Sequence, residues 1–144
     1  MSPMKLSLVF AREGSLGKPP QSAHQWHDFL EKGASSRSID ALKAQLDVAD
    51  DVLAELLGVS EKTLTRARKA GGRLDAVTSD RLFRVAKIAA LARHVFERQE
   101  PALRWLKREQ PGLGGRTPLS FLTTSVGIEE VERLLLRIEH GVYS

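Results

Sequence analysis

From residue 23 onward, apolar residues return every three or four positions, a spacing that predicts a succession of helices rather than strands. The pattern predicts helices over Ala23–Lys32 and Ser38–Leu46, the second capped by Ser38 and carrying Ile39, Leu42 and Leu46 on one stripe. A third runs over Asp50–Leu57 and a fourth from Ser60 to the Gly71-Gly72 stop. A long helix follows, capped by Thr78 or Ser79 and reaching about Gln99, with Leu82, Val85, Ala86, Ile88, Ala89, Leu91 and Ala92 in its apolar face. So wide a face marks the central core helix. Its flank to Phe96, with the Ile39, Leu42 and Leu46 stripe, is the candidate surface for self-association.

Beyond Pro101 the text predicts a short helix to Gln110, a loop PGLGGRTP, a segment Leu119–Thr124, a turn at Gly127 and a last helix over Ile128–His140. That helix places Glu129 and Glu130 in its first turn and Arg137 and His140 in its last, matching the helix dipole. Val131, Leu134, Leu135 and Ile138 form its inward stripe, and Gly141 ends it. Residues 1–22 lack helical period, and a strand at Lys5–Phe10 stays open. The expected class is all-α, divided into an N-terminal arm (1–37), a helix-turn-helix region with the long core helix (38–99) and a small C-terminal helical domain (100–144).

The stretch DDVLAELLGVSEKTLTRARKAG, from Asp50 to Gly71, has the spacing of a helix-turn-helix. Val52, Leu53, Leu56 and Leu57 share one face, and Ala54 is small enough to let a second helix cross closely. Gly58 supplies the turn, Val59 the plug between the helices and Ser60 the cap of the second helix. Leu64 and Ala67 point inward. The outward residues are Glu61, Lys62, Thr63, Thr65, Arg66 and Lys69, with Arg73 beyond the glycines. Ser60, Lys62, Thr63, Thr65 and Arg66 are thereby the candidates to approach base edges in a major groove, with Lys69 and Arg73 on phosphates. An ordinary helical hairpin with a solvated basic face is the alternative.

Charge sharpens this picture. The 144-residue chain holds 22 Lys and Arg against 18 Asp and Glu, a net charge of +4 that is only moderately basic. Its distribution is uneven: Ser38–Leu57 carries five acids against Lys43, whereas Ser60–Arg73 carries five bases against Glu61. One helix supports and the next reads. The chain has no cysteine, which excludes disulfides, thiolate catalysis and cysteine-bound zinc. The apolar run Leu6–Ala11 is too short for a signal core and no stretch approaches a membrane span, so a cytoplasmic protein without membrane contact is expected.

Catalytic and cofactor patterns are missing. His24, His27, His94 and His140 are scattered without a companion carboxylate set, and no serine-nucleophile, carboxylate-dyad or nucleotide-loop pattern occurs, so neither enzyme, metal nor cofactor is expected. The GLGGRTP loop admits phosphate binding by backbone N–H groups, but no Gly-Lys-Ser/Thr follows. A tight turn, with Thr117 capping and Pro118 opening a helix, is the simpler reading. Trp105 is expected to pack beneath this loop.

The phrases LGVSEKTLTRARKAGGRLDAVTSDRLFRVAKI, ALRWLKREQPGLGGRTPLSFLTTSVG and VERLLLRIEHGVYS, in that order over roughly residues 38–144, resemble antitoxins of the Xre/MbcA/ParS type. The resemblance implies a RES-domain toxin as partner, an enzyme that depletes NAD. It also implies that the C-terminal region covers that toxin's active site while an Xre/Cro-like helix-turn-helix binds double-stranded promoter DNA, as a homodimer. Arg137, Glu139, His140, Val142 and Tyr143 are then the candidate toxin contacts, with the tail after Gly141 as a plug. Read without the resemblance, Val142 and Tyr143 complete the core. A stand-alone regulator whose C-terminal half only dimerises, and a pure inhibitor whose helix-turn-helix is only a scaffold, are the alternative functions.

Overall fold

The computed structural model describes residues 20–141. The strand considered at Lys5–Phe10 and the tail residues Val142 and Tyr143 lie outside them. Among the described residues the chain forms seven α-helices: α1 (Ala23–Lys32), α2 (Arg37–Leu46), α3 (Asp50–Leu57), α4 (Glu61–Ala70), α5 (Ala76–Phe96), α6 (Gln99–Lys107) and α7 (Ser125–Glu139). Two 3-10 turns, Pro111–Leu113 and Leu119–Thr123, connect α6 to α7. No strand occurs among the described residues, and the fold is all-α as the periodicity predicts.

Helix α5 is the axis. Its 21 residues span about 31 Å, and α1, α2, α3, α6 and α7 all pack on it. Leu82, Val85, Ala86, Ile88, Ala89, Leu91 and Ala92 are buried on it, which explains why a helix of such broad apolarity needs no second molecule to cover it. Trp26 of α1 lies against Phe83, with ring centroids 4.9 Å apart, and Trp105 of α6 against Phe96 at 5.7 Å. Ile39, Leu42 and Leu46 are wholly buried. The stripes considered for self-association are therefore largely occupied by the chain's own core, which runs without a break from Phe29 to Leu135.

Several boundaries differ from the pattern-based reading, each for a local reason. Helix α5 starts at Ala76 because Asp75, rather than Thr78 or Ser79, is its cap: the Asp75 carboxylate accepts from the Thr78 N–H at 2.7 Å. Ser79 is fully buried, and its hydroxyl accepts from the Ala34 N–H at 2.8 Å, tying the α1–α2 linker to α5. Helix α2 begins at Arg37, so Ser38 lies inside it and is buried. Helix α6 begins at Gln99 and ends at Lys107, two residues before Pro101 and three before Gln110.

The largest difference is at α7. Thr124 caps it, accepting from the Gly127 N–H at 2.9 Å, and it starts at Ser125, three residues before the expected Ile128. Gly127 is thus within the helix rather than a turn, and Glu129 and Glu130 fall outside its first turn. A Cβ on Gly127 would stand 1.9 Å from the Phe121 carbonyl oxygen. Close approach, not backbone freedom, is what this glycine provides. The Pro111–Gly115 loop is a tight turn as expected, closed by Gln110 and Arg116, and Thr117 accepts from the Ser120 N–H at 3.2 Å ahead of a 3-10 turn instead of an α-helix. Arg116 covers the Phe121 ring at 4.9 Å.

Candidate nucleic-acid and toxin interfaces

The α3–α4 pair has the local chemistry its sequence calls for. Leu53, Ala54, Leu56 and Leu57 are buried, so α3 is embedded, and Ala54 permits the crossing. Gly58 has φ +70°, a conformation that costs a side-chain-bearing residue, and its N–H bonds back to the Glu55 carbonyl at 3.1 Å. Val59 is half-buried against the core. The Ser60 hydroxyl oxygen accepts from the Thr63 N–H at 3.0 Å and donates to the Thr63 hydroxyl at 2.9 Å, so Ser60 caps α4. Leu64 is buried and Ala67 half-buried.

Lys62, Thr63, Thr65, Arg66 and Lys69 all lie exposed on α4. Among the described residues no ion pair or side-chain hydrogen bond engages Lys62, Thr65, Arg66 or Lys69, which leaves their donors and charges facing solvent. Arg73 differs: its Nη1 donates to the Gly33 carbonyl at 2.9 Å. There the strip after α4 pairs with the α1–α2 linker through Ser36 N–H to the Gly72 carbonyl (2.9 Å) and Leu74 N–H to the Ala34 carbonyl (2.8 Å).

One basic residue of α4 is turned inward. Arg68 reaches Asp40 of α2 at 2.8 Å and Asp50 of α3 at 2.9 Å, and Lys43 also reaches Asp50 at 2.9 Å. Hydrogen bonding from Lys43, then from Arg68, holds the Asp50 carboxyl below its ordinary value of 3.8. The opposed charges of the two helices are therefore partly joined to each other. Arg68 counts in the basic charge of Ser60–Arg73 in sequence, yet only the tertiary arrangement brings Asp40 and Asp50 beneath it.

At the other end of the molecule, α7 presents Arg137 and His140 to solvent. Glu139 is instead bound to His94 of α5, Oε2 to Nε2 at 2.5 Å. No spacing in the sequence relates these two residues; the α5–α7 packing alone does. Val131 and Leu135 are buried, Leu134 and Ile138 half-buried, and Gly141 follows at φ +71°. Arg137 and His140 thus sit beside the exit of the chain, whereas Val142 and Tyr143 lie outside the described residues.

Residues 25–87 match the antitoxin Xre-like helix-turn-helix domain, and residues 91–141 match the antitoxin Xre/MbcA/ParS C-terminal toxin-binding domain. Antitoxin Xre of Yersinia enterocolitica is 30% identical over 130 residues, covering 90% of this chain and 88% of that protein. The chain belongs to the Xre/MbcA/ParS antitoxin family. Antitoxin Xre of Photorhabdus laumondii is 28% identical over 131 residues, covering 90% of this chain and 88% of that protein. That of Pseudomonas putida is 46% identical over 63 residues, which are 44% of this chain and 40% of that protein. Among solved structures, a chain of the Mycobacterium tuberculosis MbcT-MbcA toxin-antitoxin complex superposes with a TM-score of 0.59 at 16% identity, covering 76% of this chain and 96% of that one. The family consists of toxin-binding proteins, not enzymes. No helix among the described residues is long and apolar enough to cross a membrane.

Proposed function

We propose that this antitoxin neutralises a RES-domain toxin that depletes NAD, and that it represses its own operon by binding promoter DNA as a homodimer in the cytoplasm. The observation that carries the reading is the pairing, in one chain, of a solvent-facing basic helix at the second position of a helix-turn-helix with a matched toxin-binding domain. The division of labour follows the domain order, with DNA binding in the helix-turn-helix part that includes α1 and toxin binding in the part that follows it. Base edges are read by Lys62, Thr63, Thr65 and Arg66 from the α4 start capped by Ser60, with Lys69 and Arg73 on phosphates. Arg137, Glu139, His140, Val142 and Tyr143 engage the toxin.

One short helix spans too few base pairs to select a promoter, so two copies about one helical turn apart are required. The test is to co-express the chain with the product of an adjacent RES-domain reading frame, copurify the pair, and measure NAD consumption and promoter binding on the same preparation. Stable copurification with arrested NAD loss and a retarded promoter fragment is expected. A RES-domain protein that neither copurifies nor is inhibited would refute the toxin assignment, and equal affinity for promoter and scrambled duplex would refute the repressor assignment.

A further inference from the structure

We propose that Arg68 is a positioning residue of the recognition helix: its guanidinium, bound to one carboxylate on α2 and one on α3, sets the orientation in which α4 presents Lys62, Thr65 and Arg66. This rests on the DNA-binding reading above and adds the residue on which base selection depends without contact to DNA. Little else holds α4. Of its ten residues only Leu64 is buried, and its principal packing partner is α3 alone. Leu64 and the half-buried Ala67, one turn apart, lie on a single line along the helix, a pivot that resists lifting more than rotation of the helix about its own axis.

Arg68 supplies what a pivot lacks. It stands two residues after Arg66, a separation of about 200° around the helix, and four after the buried Leu64, about 40° away, and so lies on the flank that turns toward the core. Its Nη2 meets Asp40 at 2.8 Å and its Nη1 meets Asp50 at 2.9 Å, and the side chain is only 19% exposed. The planar fork fixes both direction and rotation, which a flexible ammonium cannot. Asp50 is itself held by Lys43 at 2.9 Å, so the anchor is a network across three helices. The Nε of Arg68 is buried without a hydrogen-bond partner. With both terminal nitrogens engaged by carboxylates, this guanidinium is not available to a phosphate unless the network opens. Productive readout tolerates only about 10–20° of misorientation, which makes rotation of α4 the quantity that matters.

The charge-neutral double variant Asp40→Asn/Arg68→Gln tests this, because it removes the bridge to α2 and the fork together while leaving Lys43 on Asp50 and net charge unchanged. Affinities for the promoter and for a scrambled duplex are measured across a salt series on full-length protein, with circular dichroism and toxin copurification confirming the fold. The expected result is about tenfold weaker promoter binding, equivalent to one misaligned bidentate base contact, with scrambled-duplex affinity and salt slope unchanged. Arg68→Lys, which keeps the charge but cannot span both carboxylates, should lose promoter preference in the same direction by about threefold, and serves if the double variant does not fold. A salt slope reduced by about one unit, with both duplexes weakened alike, would make Arg68 a phosphate contact and overturn the proposal. Undiminished promoter preference in both variants would overturn it as well. Absence of promoter preference in the unmodified protein is a distinguishable result that removes the DNA reading itself, and the inference with it.

Discussion

Replacing Gly127 by alanine adds one methyl group where α7 crosses the 3-10 turn Leu119–Thr123, and the structure determines what that methyl meets. Its Cβ would lie 1.9 Å from the Phe121 carbonyl oxygen, 2.8 Å from the Phe121 carbonyl carbon and 3.0 Å from the Thr124 hydroxyl oxygen. Two of the three are backbone atoms, so no side-chain rotation relieves the overlap and α7 must move relative to the turn. Overpacking costs about 1–3 kcal/mol, and a backbone clash belongs at the upper end. Alanine in place of glycine returns up to about 1 kcal/mol of helix propensity. The balance is a loss of about 2 kcal/mol, or roughly 4–8 °C in melting temperature for a chain of this length.

Urea denaturation followed by circular dichroism measures the loss. Gly112→Ala is the control, since its Cβ would approach only the Leu134 methyls, at 3.4 Å, and should change stability by less than about 0.5 kcal/mol. Because α7 lies in the toxin-binding domain while α4 does not, Gly127→Ala should weaken toxin copurification and leave promoter binding intact. A Gly127→Ala protein as stable as the unmodified one would show that the approach of α7 to Phe121 is not as close as described, and the argument from contact would fail.

Other consequences are equally direct. Arg66→Ala should cost about 1–3 kcal/mol on the promoter, whereas Lys69→Ala should weaken every duplex alike and lower the salt slope by about one; titrations in which both variants match the unmodified protein would remove α4 from the reading role. Deleting residues 141–144 should abolish most inhibition of NAD consumption while sparing promoter binding, since a few anchors carry most of an interface's energy; full inhibition by the truncated protein would exclude the tail as the plug. Asp75, held by the Thr78 N–H and then by the Thr78 side chain, and Asp50, held by Lys43 and then Arg68, both have carboxyls depressed below 3.8 in the folded state. Their contribution to stability is complete above that value and is lost as pH falls through the lower folded values, so the stability difference between the unmodified protein and Asp75→Asn should shrink steadily as denaturation is repeated below about pH 4; a difference independent of pH there would contradict the assignment.

Periodicity and caps alone determined the helical class, the α3–α4 turn at Gly58, the Ser60 cap and the outward placement of Lys62, Thr65, Arg66 and Lys69, because each rests on residues within one or two helical turns of one another. The start of α5 was open to error, since Asp75, Thr78 and Ser79 are all competent caps and burial alone assigns Ser79 to the Ala34 N–H. Gly127 was misread for the same reason: a glycine needed for close approach and one needed for a turn are identical in text, and only the neighbouring Phe121 carbonyl separates them. Arg68 with Asp40 and Asp50, and His94 with Glu139, are joined across 28, 18 and 45 residues of chain by helix packing. Charge complementarity has no sequence period, so where an ion leaves the solvent-facing surface to bind another helix is decided by the tertiary fold.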